Sequence, residues 1–253
     1  DLPMVNAIRD KKIPIIGEIE LAYQCAKGKI LAITGTNGKT TTTALLGEIM
    51  KNYFSDVKVV GNIGIPYTSV AADTTEETVT VAEISSFQLE TAVEFRPEVS
   101  AILNITPDHL NRHHTMENYI AAKESITKNQ TDICVLNYED EVLREFGAGL
   151  QTKVIYFSSA RKLENGYYLD GTDICRAVDG KAEHICNVEE LNLLGKHNYE
   201  NVMAASAMAY AYGVPIEVIR KNLLTFPGVE HRIEFVAEKR GVLYYNDSKG
   251  TNP

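Results

Sequence analysis

Short apolar runs alternate with stretches whose apolar positions recur every three to four residues. Continuous apolar runs at 29–34, 57–60, 78–84 and 99–105 predict strands buried on both faces, and 133–136 and 154–157 predict two more. Between them, 39–52, 115–129 and 139–146 read as helices. Upstream, the pattern predicts a helix at 4–10, a short strand at 13–16 and a helix at 18–26. Strands alternating with helices predict an α/β fold, a doubly wound, mainly parallel sheet flanked by helices. The pattern changes at residue 166. Short strands at 166–170, 173–178 and 182–186, separated by Asp170-Gly171 and Asp179-Gly180, predict a small antiparallel β meander. Helices at 199–212, with Gly213 as C-cap, and at 216–224 follow. Phe226-Pro227-Gly228 reads as a hinge, and 233–237 with 242–246 as a final hairpin.

Composition narrows the partners. The chain has 253 residues, 44% of them hydrophobic, enough for a sizeable core. A net charge of -9 argues against nonspecific nucleic-acid binding and against an anionic membrane surface. No apolar run approaches the ~20 residues that span a bilayer. Cys25, Cys134, Cys175 and Cys186 show no C-x-x-C spacing and are expected to be reduced core thiols of a cytoplasmic protein. The chain starts at Asp1 without a methionine and stops in the polar run 246–253, which reads as part of a longer protein.

The chemistry starts where the 29–34 strand runs into Gly35-Thr36-Asn37-Gly38-Lys39-Thr40-Thr41-Thr42. Two glycines let the backbone fold tightly and turn its N–H groups toward an anion. The helix that follows adds the positive end of its dipole. Lys39 can reach the outer phosphates, and the Thr40 hydroxyl can sit on a magnesium ion. Ile33 stands where a longer phosphate loop has its first glycine, so the motif is G-x-x-G-K-T.

In parallel sheets ligands bind beyond the carboxyl ends of the strands, and polar residues gather there. Asn62 follows the second strand, Glu83-Ile84-Ser85-Ser86-Phe87-Gln88 the third, and Asn104-Ile105-Thr106-Pro107-Asp108-His109 the fourth. Glu83 closes an apolar strand and reads either as a magnesium ligand or as a surface carboxylate. Ser85 and Ser86 read as site residues or as helix caps. Of the histidines in the run 109–114, one is expected to face the site, with His113 and His114 solvated; zinc lacks a nearby cysteine partner. Lys123 shares an apolar stripe with Met116, Tyr119 and Ile126, which turns it inward. It is either a snorkelling lysine or a desolvated one with a lowered pKa near phosphate or metal. Asn198 and Asn201 read as helix caps or as readers of an adenine edge.

The chain resembles the Mur ligase family, the ATP-dependent amide-bond ligases of bacterial peptidoglycan synthesis. The phosphate loop, Gly61-Asn62-Ile63-Gly64, Asp108-His109-Leu110, Leu194-Gly195-Lys196-His197-Asn198-x-x-Asn201 and Asp247-Ser248-Lys249-Gly250-Thr251-Asn252 all match. The segment 83–90, Glu-Ile-Ser-Ser-Phe-Gln-Leu-Glu, resembles the D-glutamate-adding branch. The resemblance implies the tail of a first, UDP-binding domain at 1–17, a central ATP-binding domain at 18–227 and the opening of an amino-acid-binding domain at 228–253. Most of the first and third domains would then lie outside the chain.

It also implies roles. Gly35, Thr36, Asn37, Gly38, Lys39, Thr40 and Thr41 would bind ATP, with Asn198 and Asn201 on the adenine side and Arg232 and Asp247 reaching in from the third domain. Asn62, Ser85, Gln88, His109, Lys249 and Thr251 would contact substrate. Thr40, Glu83, His109 and Lys123 would hold two magnesium ions, Lys123 as its N6-carboxylated (carbamate) form. Lys39, Glu83, His109 and Lys123 would be the catalytic set. The implied reaction joins D-glutamate to UDP-N-acetylmuramoyl-L-alanine through an acyl phosphate, with ADP released. No nucleic acid, no membrane insertion and a monomer are expected. Folylpolyglutamate synthase and other peptidoglycan branches share the phosphate loop, and a nucleotide-binding switch without ligase activity is the reading from another class.

Overall fold

The computed structural model describes residues 2–250 except 63, 130, 131 and 233. Strand β1 (Lys29–Thr34) sends Leu31 and Ile33 to one face of the sheet and Ile30 and Ala32 to the other, and all four are buried. It lies between β3 (Val79–Glu83) and β4 (Val99–Ile102), parallel to both. Strand β2 (Val57–Gly61) flanks β3, and β5 (Ile133–Asn137) and β6 (Lys153–Ser158) continue beyond β4, all parallel. The expected doubly wound sheet is therefore present.

The expected antiparallel meander is present and continues the main sheet. Strand β7 (Gly166–Asp170) joins β6 in parallel through Phe157–Tyr167 and Ser158–Tyr168, and β8 (Asp173–Val178) and β9 (Lys181–Asn187) follow antiparallel. Among the described residues the result is one nine-stranded sheet, ordered β2-β3-β1-β4-β5-β6-β7-β8-β9. The chain winds outward from β1 to β2, returns through β3 and crosses to β4. That reversal beside β1 opens a crevice at the carboxyl ends of the strands.

One face of the sheet is covered by α3 (Lys39–Lys51), α8 (Lys196–Ala211) and α9 (Ile216–Thr225) through Leu45, Ile49, Met203, Ala207 and Ile219. The other is covered by α2 (Glu18–Cys25), α6 (Met116–Glu124) and α7 (Glu141–Gly149) through Ile19, Ala22, Tyr119 and Leu143. Each fully buried Leu or Ile contributes about 1.5–3 kcal/mol. Short helices α4 (Ser86–Leu89) and α5 (Leu110–His113) follow β3 and β4 at the crevice. Helix α1 (Pro3–Asp10) buries no residue, and β10 (Glu234–Lys239) pairs with β11 (Val242–Asn246) as the expected hairpin.

A buried carboxylate pins α2. Glu20 is fully buried and accepts the backbone N–H groups of Val93, Glu94 and Phe95 at 2.8–3.1 Å, plus the Gln24 amide at 2.9 Å. Burial pushes its pKa up, but these hydrogen bonds together hold it below the ordinary glutamate value.

Several expectations need correction. No strand forms at 13–16: Pro14 lacks a donor, and Ile13 and Ile16 stay exposed. The fourth strand ends at Ile102, where the backbone turns into the site loop. The 115–129 helix stops at Glu124 because Ser125 Oγ and Thr127 Oγ1 donate to the carbonyls of Ala122 and Glu124, leaving a 3-10 turn at Ser125–Thr127. Cys25 ends α2 exposed, while Cys134, Cys175 and Cys186 are buried free thiols. Among the described residues no helix is long and apolar enough to cross a membrane.

Candidate functional site

The turn between β1 and α3 is locked from both sides. Thr36 N–H donates to Asn104 O at 2.9 Å and Asn37 N–H to Asn104 Oδ1 at 2.8 Å, while Asn104 Nδ2 donates to Asn37 O at 3.1 Å. Thr36 Oγ1 accepts the Thr106 N–H and lies 3.0 Å from Tyr119 OH. Gly38 is the N-cap of α3 at φ 85°, and a Cβ there would sit 2.2 Å from Asn201 Oδ1. Thr42 N–H closes the first helical turn onto Gly38 O at 3.0 Å, and no side chain caps the helix. The amides of Lys39, Thr40 and Thr41 therefore form the open, positive end of α3.

Charge collects in the cavity beside this turn, about 470 Å³ and lined by residues 36–40, Glu83, Asp108, His109, Lys123 and Arg232 among others. Lys39 Nζ folds back onto Gly35 O at 3.0 Å and Thr36 O at 2.8 Å. Burial lowers its pKa, the Glu83 and Asp108 carboxylates raise it, and Arg232 lowers it further, for a net value below the lysine norm. Glu83 is 2% exposed. Asn62 Nδ2 donates to its Oε1 at 3.2 Å, and among the described residues no basic group lies within 4 Å of it. Arg232 Nη2 reaches Thr40 Oγ1 at 3.4 Å, while its buried Nε has no hydrogen-bond partner. An uncapped helix start, an orphaned guanidinium nitrogen and a buried carboxylate without a cation are the donor set that a phosphate–magnesium pair would satisfy.

Lys123 is 2% exposed, as its stripe implied. Its Nζ donates to Gly35 O at 2.7 Å and lies 4.6 Å from the Tyr119 ring centroid. Burial, then the Lys39 charge, pulls its pKa down to about 7 against the pull of Asp108. The snorkelling alternative fails, since the head group is inside.

A second cavity of about 500 Å³ lies on the other side of the turn, lined by Asn37, Gly38, Thr41, His197, Asn198, Glu200, Asn201, Arg232 and Asp247 among others. Helix α8 begins at Lys196, so Asn198 and Asn201 lie inside it and the N-cap is Gly195. Asn198 Nδ2 donates to Leu194 O at 2.7 Å, and Asn201 Nδ2 donates to Asn198 Oδ1 at 3.2 Å.

A family model, the Mur ligase middle domain, matches residues 33–209, more than half of the chain. The chain belongs to the Mur ligase family. It is 60% identical over 255 residues to the UDP-N-acetylmuramoylalanine--D-glutamate ligase of Lachnoclostridium phytofermentans, covering 100% of this chain and 56% of that protein. It is 58% identical over 256 residues to the protein of the same name from Lachnospira eligens, covering 100% of this chain and 57% of the relative. The chain thus spans about half the length of these relatives. Among solved structures, MurF from Acinetobacter baumannii superposes with a TM-score of 0.70 at 23% identity, over 93% of this chain and 54% of that one, a likeness of fold.

In this Mur ligase chain most of the expected site residues converge. Gly35 belongs to the turn, Thr41 lines the second cavity, and Asn62, Ser85 and His109 line the first. His109 adopts a left-handed φ of 51° and is half exposed, 3.6 Å from Asp108. Gln88 does not line the cavity. Its side chain accepts the Ser85 N–H at 2.9 Å in a capping box, so the capping alternative holds for Ser85 as well. Lys249 lies outside both cavities, its N–H donating to His231 O at 3.0 Å. Thr251 lies outside the described residues. Among those residues no group of three or more His, Cys, Asp and Glu side chains converges as a metal cluster.

His113 corrects the expectation of a solvated loop residue. It is 3% exposed, with Nε2 2.9 Å from Ser86 Oγ and Nδ1 3.2 Å from Glu90 Oε1. Burial lowers its pKa despite Glu90. The turn-locking hydrogen bonds of Asn104, the Asp108 charge beside Lys39 and Lys123, and the place of Glu200 in the second cavity were not anticipated. Asn104 and Asp108 stood in a polar run after β4, the signal that marked His109, whereas nothing in the pattern singles out Glu200.

Proposed function

We propose that the chain carries the nucleotide-binding machinery of an ADP-forming ligase that joins D-glutamate to UDP-N-acetylmuramoyl-L-alanine in cytoplasmic peptidoglycan precursor synthesis. One observation carries the reading: Lys39, the uncapped start of α3 and the buried Glu83 carboxylate line one cavity. The names of the 60% and 58% identical relatives supply the substrate pair. The unit at 18–227 binds ATP, 1–17 trails from a UDP-binding unit, and 228–253 opens the amino-acid-binding unit of a monomer.

The substrate carboxylate attacks the γ-phosphate, giving an acyl phosphate and ADP. The amine then displaces phosphate to form the amide. Both steps move negative charge, so positioned cations supply most of the catalysis. Lys39 and Arg232 hold phosphate oxygens, and Asn198 and Asn201 stand on the adenine side. Magnesium would neutralise phosphate charge, held by Thr40 and Glu83, with His109 and a Lys123 carbamate for a second ion. Lys123 suits that modification because carbon dioxide reacts with neutral amines, and a lysine with a pKa of about 7 is substantially neutral at physiological pH.

A ~1 Å misalignment costs about a hundredfold in rate, so residues 1–253 alone bind nucleotide and do not ligate. The test is a phosphate-release and product assay with the intact protein and a panel of amino acids. Release that requires both UDP-N-acetylmuramoyl-L-alanine and D-glutamate supports the reading. Preference for another amino acid refutes the branch, ATP binding without substrate-dependent turnover refutes the ligase, and ligation by residues 1–253 refutes their inactivity.

A further inference from the structure

Ser86, His113 and Glu90 form a hydrogen-bonded chain that the reaction above does not use. Ser86 Oγ lies 2.9 Å from His113 Nε2, and His113 Nδ1 lies 3.2 Å from Glu90 Oε1. The second Glu90 oxygen accepts from Arg112 Nη2 at 2.6 Å, which fixes the carboxylate. The imidazole stacks on Phe87, centroids 5.3 Å apart at 13°, and meets Tyr119 at 5.1 Å. Ser86 and His113 are each 3% exposed, so neither rotates freely into solvent.

The hydrogen-bond inventory sets the direction. A carboxylate only accepts, so the ring hydrogen sits on Nδ1 facing Glu90. Nε2 is then the acceptor, and it takes the Ser86 hydroxyl hydrogen. Ser86 lines the phosphate-loop cavity. With its hydrogen committed, it offers bound molecules only lone pairs. A phosphate or carboxylate has no hydrogen to place there, so Ser86 suits an N–H donor. The charge in the cavity agrees. Lys39, Arg232 and the start of α3 serve the phosphates, Glu83 suits a metal ion, and the Asp108 carboxylate in the same cavity lining favours a cationic or partly positive nitrogen there.

We propose that Ser86, held by His113 and Glu90, is a further positioning residue that accepts a hydrogen bond from the attacking amine of the amino-acid substrate. The inference rests on the ligase reading and adds the group that orients the nucleophile toward the acyl carbon.

Steady-state kinetics of the intact protein decide it. Ser86→Ala raises KM for D-glutamate about tenfold or more, the worth of a hydrogen bond to a charged or polarised donor, while KM for ATP and for UDP-N-acetylmuramoyl-L-alanine each move less than about twofold. Ser86→Thr, which keeps the hydroxyl, restores most of the loss. His113→Phe keeps a ring between Phe87 and Tyr119 but frees the Ser86 hydrogen, and it also raises KM for D-glutamate. An unchanged D-glutamate KM in Ser86→Ala overturns the proposal. So does a parallel rise of all three KM values, which is the mark of packing alone. A parent protein that makes no amide strikes the ligase reading, so the two failures are told apart.

Discussion

The phosphate-loop edge of the sheet and its β7–β9 extension treat charge in opposite ways. In the extension, Lys162 pairs with Asp170 at 2.6 Å, Arg176 with Glu183 at 3.2 Å and His184 with Asp173 at 3.2 Å, nearly all with exposed or half-exposed side chains. Each of these pairs is reached by water, and such pairs add little to stability. At the phosphate-loop edge Glu83 and Lys123 are each 2% exposed, and neither finds an opposite charge within 4 Å among the described residues. Lys123 and Lys39 both donate to the Gly35 carbonyl instead. A buried charge without a partner is costly, which is what pulls the Lys123 pKa down, so one end of the sheet is organised for a charged ligand and the other for solvent.

Gly38→Ala should have the largest effect on this contrast. A left-handed φ and a Cβ 2.2 Å from Asn201 Oδ1 predict a loss of about 2–3 kcal/mol by urea denaturation, together with at least about tenfold weaker nucleotide binding by calorimetry. Unchanged midpoint and affinity would show that the turn is not shaped for phosphate.

Glu20→Gln comes next, since it weakens the buried hydrogen bonds that tie α2 to residues 93–95 and costs about 2 kcal/mol. The Glu20 pKa is lowered on folding, so its contribution is complete above the unfolded value of 4.5 and is lost as pH falls through the lower folded value. The gap between parent and variant in denaturation midpoint should therefore be constant near neutrality and close below about pH 4.5. A gap that persists in acid would contradict this account.

Lys162→Ala should be the smallest. The Lys162 side chain is 66% exposed, and its pairing with Asp170 is screened by water and salt. No measurable change in Tm is expected, and a clear drop would mean that the extension depends on its charges after all.

Local pattern made much of the site legible. The glycines announce a tight turn because Gly35 and Gly38 both take left-handed backbone, and Lys123 shows its inward direction by sharing a stripe with Tyr119 and Ile126, both buried. His113 stayed hidden because its burial depends on Phe87 of α4 and Glu90 just after it, residues brought close only by the fold. The small antiparallel meander was legible because turn chemistry reports hairpins, whereas its joining to the main sheet through the two-rung pairing of β6 with β7 is a tertiary fact. Strand 99–105 was drawn too long because apolar content alone does not reveal where pairing with β1 ends.

The central claim is that Glu83 and the turn at 35–38 serve one phosphate–cation centre. Calorimetric titration of ATP with and without magnesium, on the parent protein and on Glu83→Gln, tests it most directly. The account predicts that magnesium tightens nucleotide binding in the parent about tenfold or more and that the variant loses this gain while still binding free nucleotide. An equal magnesium effect in both proteins would contradict it.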